Sequence, residues 1–206
     1  MENPTKLFLV RHGEVEEQYL RIYGGRIDMN LSERGHEQAT ALAPFFSSMG
    51  LDAIYCSTMT RARQTLDPIA EHVAATPVFM EDLREIDFGE WTGLTWEAVA
   101  KQHESEVADW LHLLDGGEVD GAESTAGLRA RVSPCLDRIL ESHPGQSVAI
   151  ICHGAVIRVM LSSLLSLPLR ELGGIDISYA GVSLVEHEGE RNVARYINHA
   201  PWRFES

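Results

Sequence analysis

Two stretches of this chain are apolar without alternation: Leu7-Phe8-Leu9-Val10 and Val148-Ala149-Ile150-Ile151. A strand with one wet face alternates apolar and polar residues, so an unbroken run calls for cover on both faces. A parallel sheet held between two helical layers supplies that cover. Each run is followed within two residues by a histidine and a glycine, as Arg11-His12-Gly13-Glu14 and as Cys152-His153-Gly154. Glycine lets the chain turn tightly as it leaves the sheet and lets a ligand approach the backbone. Ligands of such sheets sit beyond the carboxyl ends of the strands, so His12 and His153 can converge there.

The rest of the chain fits the same plan. Asp52–Cys56 and Pro77–Met80 are shorter strand candidates. Ser183–His187 and Asn192–Asn198 flank Glu188-Gly189-Glu190 as a hairpin, whose exposed edge leaves a homodimer open. Ser32 caps a helix running through Ala39, Leu42, Ala43 and Phe46, and Ser57 or Thr58 can cap a second through Ala62, Thr65, Leu66 and Ile69. Ser124–Leu140 has helical period, and Ala155–Leu165 is apolar nearly all round, the pattern of a helix buried against the sheet. Strands alternating with helices give an α/β fold, a three-layer α/β/α sandwich with a mainly parallel central sheet. At 206 residues, with no repeat or linker, residues 1–206 read as one domain. The irregular stretch 82–121 reads as a helical insertion capping the site.

Charge narrows the partners. A net charge of −14 argues against nucleic acid and anionic membranes, which select basic patches, and makes any anionic substrate depend on a local cluster of Arg and His. The polar start Met1–Lys6 is unlike a signal peptide, and no run approaches the roughly 20 apolar residues of a membrane span. Cys56, Cys135 and Cys152 lie in apolar contexts without CxxC spacing, as reduced core residues of a cytoplasmic protein would.

The chemistry-bearing residues suit a phosphoryl group. Arg11 is a permanent forked cation for phosphate oxygens, and His12 is a nucleophile or proton carrier near neutral pH. Ser57-Thr-Met-Thr-Arg61 follows a strand and opens a helix, whose free N–H groups favour an anion; alone, Arg61 would pass for a solvated surface residue. Transfer to histidine leaves an alkoxide that needs a proton. Glu85, Asp87 and Glu90 are all candidates for that acid, and the residues themselves do not choose among them; taken singly, each is more often a solvated loop carboxylate.

Taken in order, these pieces resemble the histidine phosphatase superfamily, in its small phosphoglycerate-mutase-like phosphatase branch, which includes broad-specificity phosphatases and α-ribazole phosphatase. The matching blocks are Arg11-His12-Gly13-Glu14; Asp28-x-x-Leu31-Ser32-x-x-Gly35-x-x-Gln38-Ala39; Ser57-x-x-x-Arg61-Ala62-x-x-Thr65; Leu83-x-Glu85-x-x-Phe88-Gly89-x-Trp91-x-Gly93; Glu123-Ser124; and His153-Gly154. The resemblance implies that His12 is a nucleophile forming a phosphohistidine, that Arg11, Arg61 and His153 surround the phosphoryl group, and that Glu85 is the acid and base. It also puts Gln18, Gly24, Ser57 and Gly154 around the substrate. It implies a small phosphorylated metabolite as substrate, no cofactor and no metal. The remaining histidines show no spacing shared with carboxylates or cysteines, and read as surface or structural. The chain departs from the family where Val15 replaces a hydroxyl residue, where Gln18 stands for Asn, and where Thr92 separates Trp91 from Gly93. Around Arg21–Gly25 the match is looser. These changes bear on phosphate affinity and substrate choice, together with Tyr19, Tyr23, Trp91 and Trp96, which suit either a substrate wall or the core. A phosphoglycerate mutase and a non-catalytic phospholigand-binding module are the alternatives on the same fold.

Overall fold

The computed structural model describes residues 3–104, 110–117, 119–189 and 191–203. Among them, six strands form one mixed sheet with helices on both sides. In chain order the strands are β1 (Thr5–Arg11), β2 (Ala53–Ser57), β3 (Pro77–Met80), β4 (Ser147–Cys152), β5 (Val182–Glu188) and β6 (Arg191–His199), arranged β3-β2-β4-β1-β5-β6. The pairs β2/β3, β2/β4 and β1/β4 are parallel, while β5 is antiparallel to both β1 and β6.

The unbroken apolar runs have the expected cause. Leu7 and Leu9 of β1 face one core, shared with α5 (Thr125–Ser142) and α6 (Gly154–Leu165) through Val132, Leu136, Val156 and Met160. Phe8 and Val10 face the other, shared with α1 (Glu33–Ser47) and α2 (Thr60–Ala70) through Leu42, Phe46, Leu66 and Ile69. Successive side chains of a strand point to opposite faces, so a strand serving two cores has no position left for a polar residue. Ser32 caps α1 as its sequence predicts, its hydroxyl accepting from the Gly35 N–H at 3.0 Å. Ser124 does the same for α5.

One expectation is corrected. Neither Ser57 nor Thr58 is the N-cap of α2; that position is Met59, which makes no side-chain cap bond. Ser57 instead ends β2 and has its hydroxyl engaged by His153. Among the described residues, the stretch 82–121 holds α3 (Trp96–Gln102), α4 (Trp110–Asp115) and 3₁₀ turns at Glu81–Leu83 and Gly89–Trp91, with residues 105–109 and 118 outside the described set. Part of the predicted 188–190 turn, Glu190, also lies outside it. The three cysteines are free and buried, and no helix among the described residues is long and apolar enough to cross a membrane.

Candidate active site

The register between β1 and β4 pairs Val10 with Ile151 and Arg11 with Cys152, which delivers His12 and His153 side by side past the strand ends. Their ring centroids are 5.2 Å apart. His12 is fixed by its backbone, its N–H donating to the Cys152 carbonyl at 3.0 Å and its carbonyl accepting from Ala180. Gly13 then turns the chain away, with its N–H donating to Thr65 Oγ1 at 2.9 Å. A Cβ on Gly13 would lie 2.7 Å from the Gly35 carbonyl oxygen, so glycine is what allows α1 to approach the loop this closely.

The His12 ring has a defined tautomer. Nδ1 lies 2.8 Å from the Gly13 carbonyl, an acceptor only, so Nδ1 carries the proton. Nε2 is left with its lone pair, toward which Arg61 Nε donates from 3.2 Å. Burial, then the charges of Arg61 and Arg11, hold the His12 pKa well below its ordinary value of 6.5. The ring is therefore a neutral imidazole with its outer nitrogen unprotonated, the form a nucleophile requires.

Cations surround it. Arg61, in the first turn of α2, donates through Nη1 to the Ile27 carbonyl and through Nη2 to the Gly25 carbonyl, at 2.9 and 2.8 Å. Burial pushes its pKa down to about 10, which leaves it charged at neutral pH. Arg11 donates to the Ile177 carbonyl and lies 4.0 Å over the Tyr179 ring, while its Nε is buried with no partner among the described residues. His153 is fully buried, with Nε2 2.8 Å from Ser57 Oγ. Burial and then the Arg61 charge also lower its pKa well below 6.5.

Two carboxylates join them, Glu85 and, on the loop Gly173–Ile177, Asp176. Glu85 accepts from the Ile86 N–H through Oε1 and from the Ala155 N–H, in the first turn of α6, through Oε2. It lines the same cleft as His12, Arg11 and Arg61, a cavity of about 550 Å³. Asp87 does not; it accepts from the Gly89 N–H and lies 3.8 Å from Arg26. Glu90 is exposed and also outside the cleft. Of Glu85, Asp87 and Glu90, Glu85 is the one that lines the cleft.

Residues 7–200 match the family model of the histidine phosphatase superfamily, branch 1. The chain belongs to the histidine phosphatase superfamily. It is 33% identical to phosphoserine phosphatase 1 of Hydrogenobacter thermophilus over 194 residues, covering 94% of this chain and 92% of the relative. A mutant phosphoserine phosphatase of Entamoeba histolytica, solved with phosphoserine, superposes with a TM-score of 0.82 at 23% identity, covering 97% of this chain and all of that one. A phosphoglycerate mutase of Bacillus anthracis gives a TM-score of 0.82 at 21% identity, covering 98% and 96%. These two likenesses establish the fold. The protein is an enzyme of this superfamily, among relatives named both phosphatase and mutase.

Of the residues expected around the substrate in this histidine phosphatase fold, Gln18 and Ser57 lie away from the cleft. Gly24 and Gly154 line the cleft together with Arg11, His12, Arg61 and Glu85. Gln18 is exposed on a 3₁₀ turn and does not, because that turn places its neighbour Tyr19 at the cleft instead. Ser57 is fully buried and absent from the cleft wall, sitting behind His153 rather than beside a substrate. Trp91 belongs to the core, its indole N–H donating to His103 Nε2, whereas Tyr19, Tyr23 and Trp96 line the cleft.

Three features escaped the sequence. Arg158 of α6 lines the cleft and donates to the carbonyls of Gly154, Leu172 and Ile175. Burial brings its pKa down to about 10. It was legible in principle as the lone cation in an otherwise apolar helix. Tyr179 and the loop Gly173–Ile177 complete the wall; apart from the paired glycines 173 and 174, nothing local in the sequence marks them.

Proposed function

We propose that this protein is a metal-independent phosphomonoesterase acting on a small phosphorylated metabolite through a phosphohistidine at His12. The observation that carries the reading is the His12 ring, neutral, with Nδ1–H tied to the Gly13 carbonyl and the Nε2 lone pair facing Arg61 in a cleft that also holds Arg11 and Glu85. Nε2 attacks phosphorus as the bond to the leaving oxygen breaks, and Glu85, in its acid form, gives that oxygen its proton. Water then attacks the phosphohistidine, Glu85 takes the water proton, and cleavage of the N–P bond frees inorganic phosphate and His12. Arg11 and Arg61 stabilise the charge on the non-bridging oxygens, the role a metal plays elsewhere.

The residues Phe88, Trp96 and Trp110 bring the 82–121 segment to the cleft, so this segment is the place where substrate choice is made. Free, buried thiols at Cys56, Cys135 and Cys152 suit a reducing, cytoplasmic setting. Since a 33% identical relative is named a phosphoserine phosphatase, phosphoserine heads the substrate screen.

The test is hydrolysis of p-nitrophenyl phosphate and phosphoserine in excess EDTA, with wild type and His12→Ala side by side. Activity in EDTA that His12→Ala abolishes is expected. Activity within tenfold of wild type in the mutant, or a requirement for a divalent metal, sinks the mechanism. Isomerisation of 3-phosphoglycerate without net hydrolysis makes the protein a mutase.

A further inference from the structure

We propose that Ser57 is a positioning residue: its hydroxyl holds His153 as the Nδ1–H tautomer, so that His153 offers a donor to the phosphoryl group while His12 offers a lone pair. The proposal rests on the phosphoryl site assigned above, but its first half concerns the free protein alone.

The number of buried polar groups left unmatched decides between the two tautomers. Ser57 Oγ lies 2.8 Å from His153 Nε2, and the Met59 N–H points at the same oxygen from 3.4 Å. Both side chains are fully buried, where an unmatched polar hydrogen is costly. If the Ser57 hydroxyl donates to Nε2, its oxygen remains free to accept from Met59, and each of these protons has an acceptor. The one N–H of the neutral ring is then on Nδ1. If Nε2–H donated instead, two groups would lack a partner among the described residues, the hydroxyl proton and the Nδ1 lone pair, against the Nδ1–H alone in the first arrangement.

Nδ1 is the atom that the fold leaves over. It is buried and has no hydrogen-bond partner among the described residues. It belongs to a ring 5.2 Å from that of His12 and in the field of Arg61 and Arg11, surroundings that favour an anionic oxygen as its acceptor. A buried ring nitrogen in its lone-pair form would repel such an oxygen, whereas in its N–H form it binds one. His12 has the reverse arrangement, because its Nδ1 is engaged by the Gly13 carbonyl. Two chemically identical rings at neighbouring strand ends are thereby given opposite tasks, each by the partner on its other nitrogen. Ser57 acts through His153; both are fully buried behind the cleft wall, and His12 and Gly154 are the neighbours that line it.

The experiment is a long-range ¹H–¹⁵N correlation spectrum of protein labelled at histidine, free of phosphate, at pH 7.5, with His153 assigned by its loss in His153→Asn. Wild type should show His153 protonated at Nδ1. Ser57→Ala should move the ring to the Nε2–H form or a mixture, and Ser57→Thr, which keeps the hydroxyl, should restore Nδ1–H. Inhibition by inorganic phosphate should weaken about tenfold in Ser57→Ala, a factor equal to about 1.4 kcal/mol, and return toward wild type in Ser57→Thr. An Nε2–H tautomer in wild type overturns the proposal without any variant having to fold. So does an unchanged tautomer in a folded Ser57→Ala, or a changed tautomer with unchanged phosphate inhibition. Loss of the phosphohistidine mechanism would show in the His12→Ala assay and leave the wild-type spectrum as it is.

Discussion

Lowering the pH should destabilise this protein through its two site histidines. His12 and His153 are both buried, and burial, with the nearby arginines, holds both pKa values well below 6.5. In the unfolded chain each returns to about 6.5. Between the folded value and 6.5 the unfolded state therefore binds more protons, so stability rises with pH and is lost as pH falls below about 6.5. Each histidine then contributes a slope of about 1.4 kcal/mol per pH unit. One unit below the unfolded value the two together remove about 3 kcal/mol, a large share of the ~5–15 kcal/mol of a typical domain. Urea unfolding between pH 8 and pH 5.5, in buffers free of phosphate, measures this slope. Carboxylates add their own acid sensitivity, so the decisive quantity is the difference between wild type and a variant. His12→Asn and His153→Asn should each flatten the profile by about 1.4 kcal/mol per unit below pH 6.5, whatever they do to stability at pH 8. Parallel profiles for wild type and both variants would mean that the histidines titrate normally in the fold and that the buried, neutral imidazoles described here are wrong.

Two further outcomes follow from the same geometry. Glu85→Gln should slow an alkyl phosphate such as phosphoserine by about 10²–10⁴-fold but p-nitrophenyl phosphate far less, because the nitrophenolate leaves without a proton; equal losses on both would take the acid role away from Glu85. Gly35→Ala would place a Cβ 2.0 Å from the Glu14 carbonyl oxygen, backbone against backbone. It should cost about 1–3 kcal/mol and lower the melting temperature by several degrees, and an unchanged melting temperature would show that α1 does not abut the His12 loop.

How much of this was legible in the sequence depends on how far each constraint reaches along the chain. β1 and β4 could be read directly, because a strand serving two cores must be apolar at Leu7, Phe8, Leu9 and Val10 alike. The start of α1 could be read because Ser32 and the Gly35 N–H it satisfies are neighbours. The placing of Glu85 rather than Asp87 or Glu90 at the cleft has no local signal, since one contact that seats it comes from the Ala155 N–H on another element. Gln18 was misplaced for a similar reason. Its loop is held by distant partners, with the Glu14 N–H donating to Gln38 Oε1, Leu31 to Gln64 Oε1, and Val15 bridged to Leu31. Ser57 has the composition of a helix cap and the position of a strand end, and only the register of β2 against β4 shows that His153 claims its hydroxyl.

The partners of the three guanidinium groups explain how a chain of net charge −14 can hold a site for an anion. A buried arginine is ordinarily satisfied by a carboxylate, which orients it and cancels its field. Arg131 is held that way, 2.7 Å from Glu123, and it lies outside the cleft. The cleft arginines are oriented by neutral oxygens instead: Arg61 by the Gly25 and Ile27 carbonyls, Arg11 by Ile177, and Arg158 by Gly154, Leu172 and Ile175. A carbonyl dipole fixes a guanidinium without neutralising it. The cost appears as the lowered pKa values of Arg61 and Arg158, both about 10, which still leaves them protonated at pH 7. Glu85 and Asp176 are the carboxylates of the same cleft, the charge of Glu85 acting on Arg61 and Arg158 and that of Asp176 on Arg158. Placing carbonyls rather than counter-ions around the cations lets local charge prevail over the overall charge of the protein.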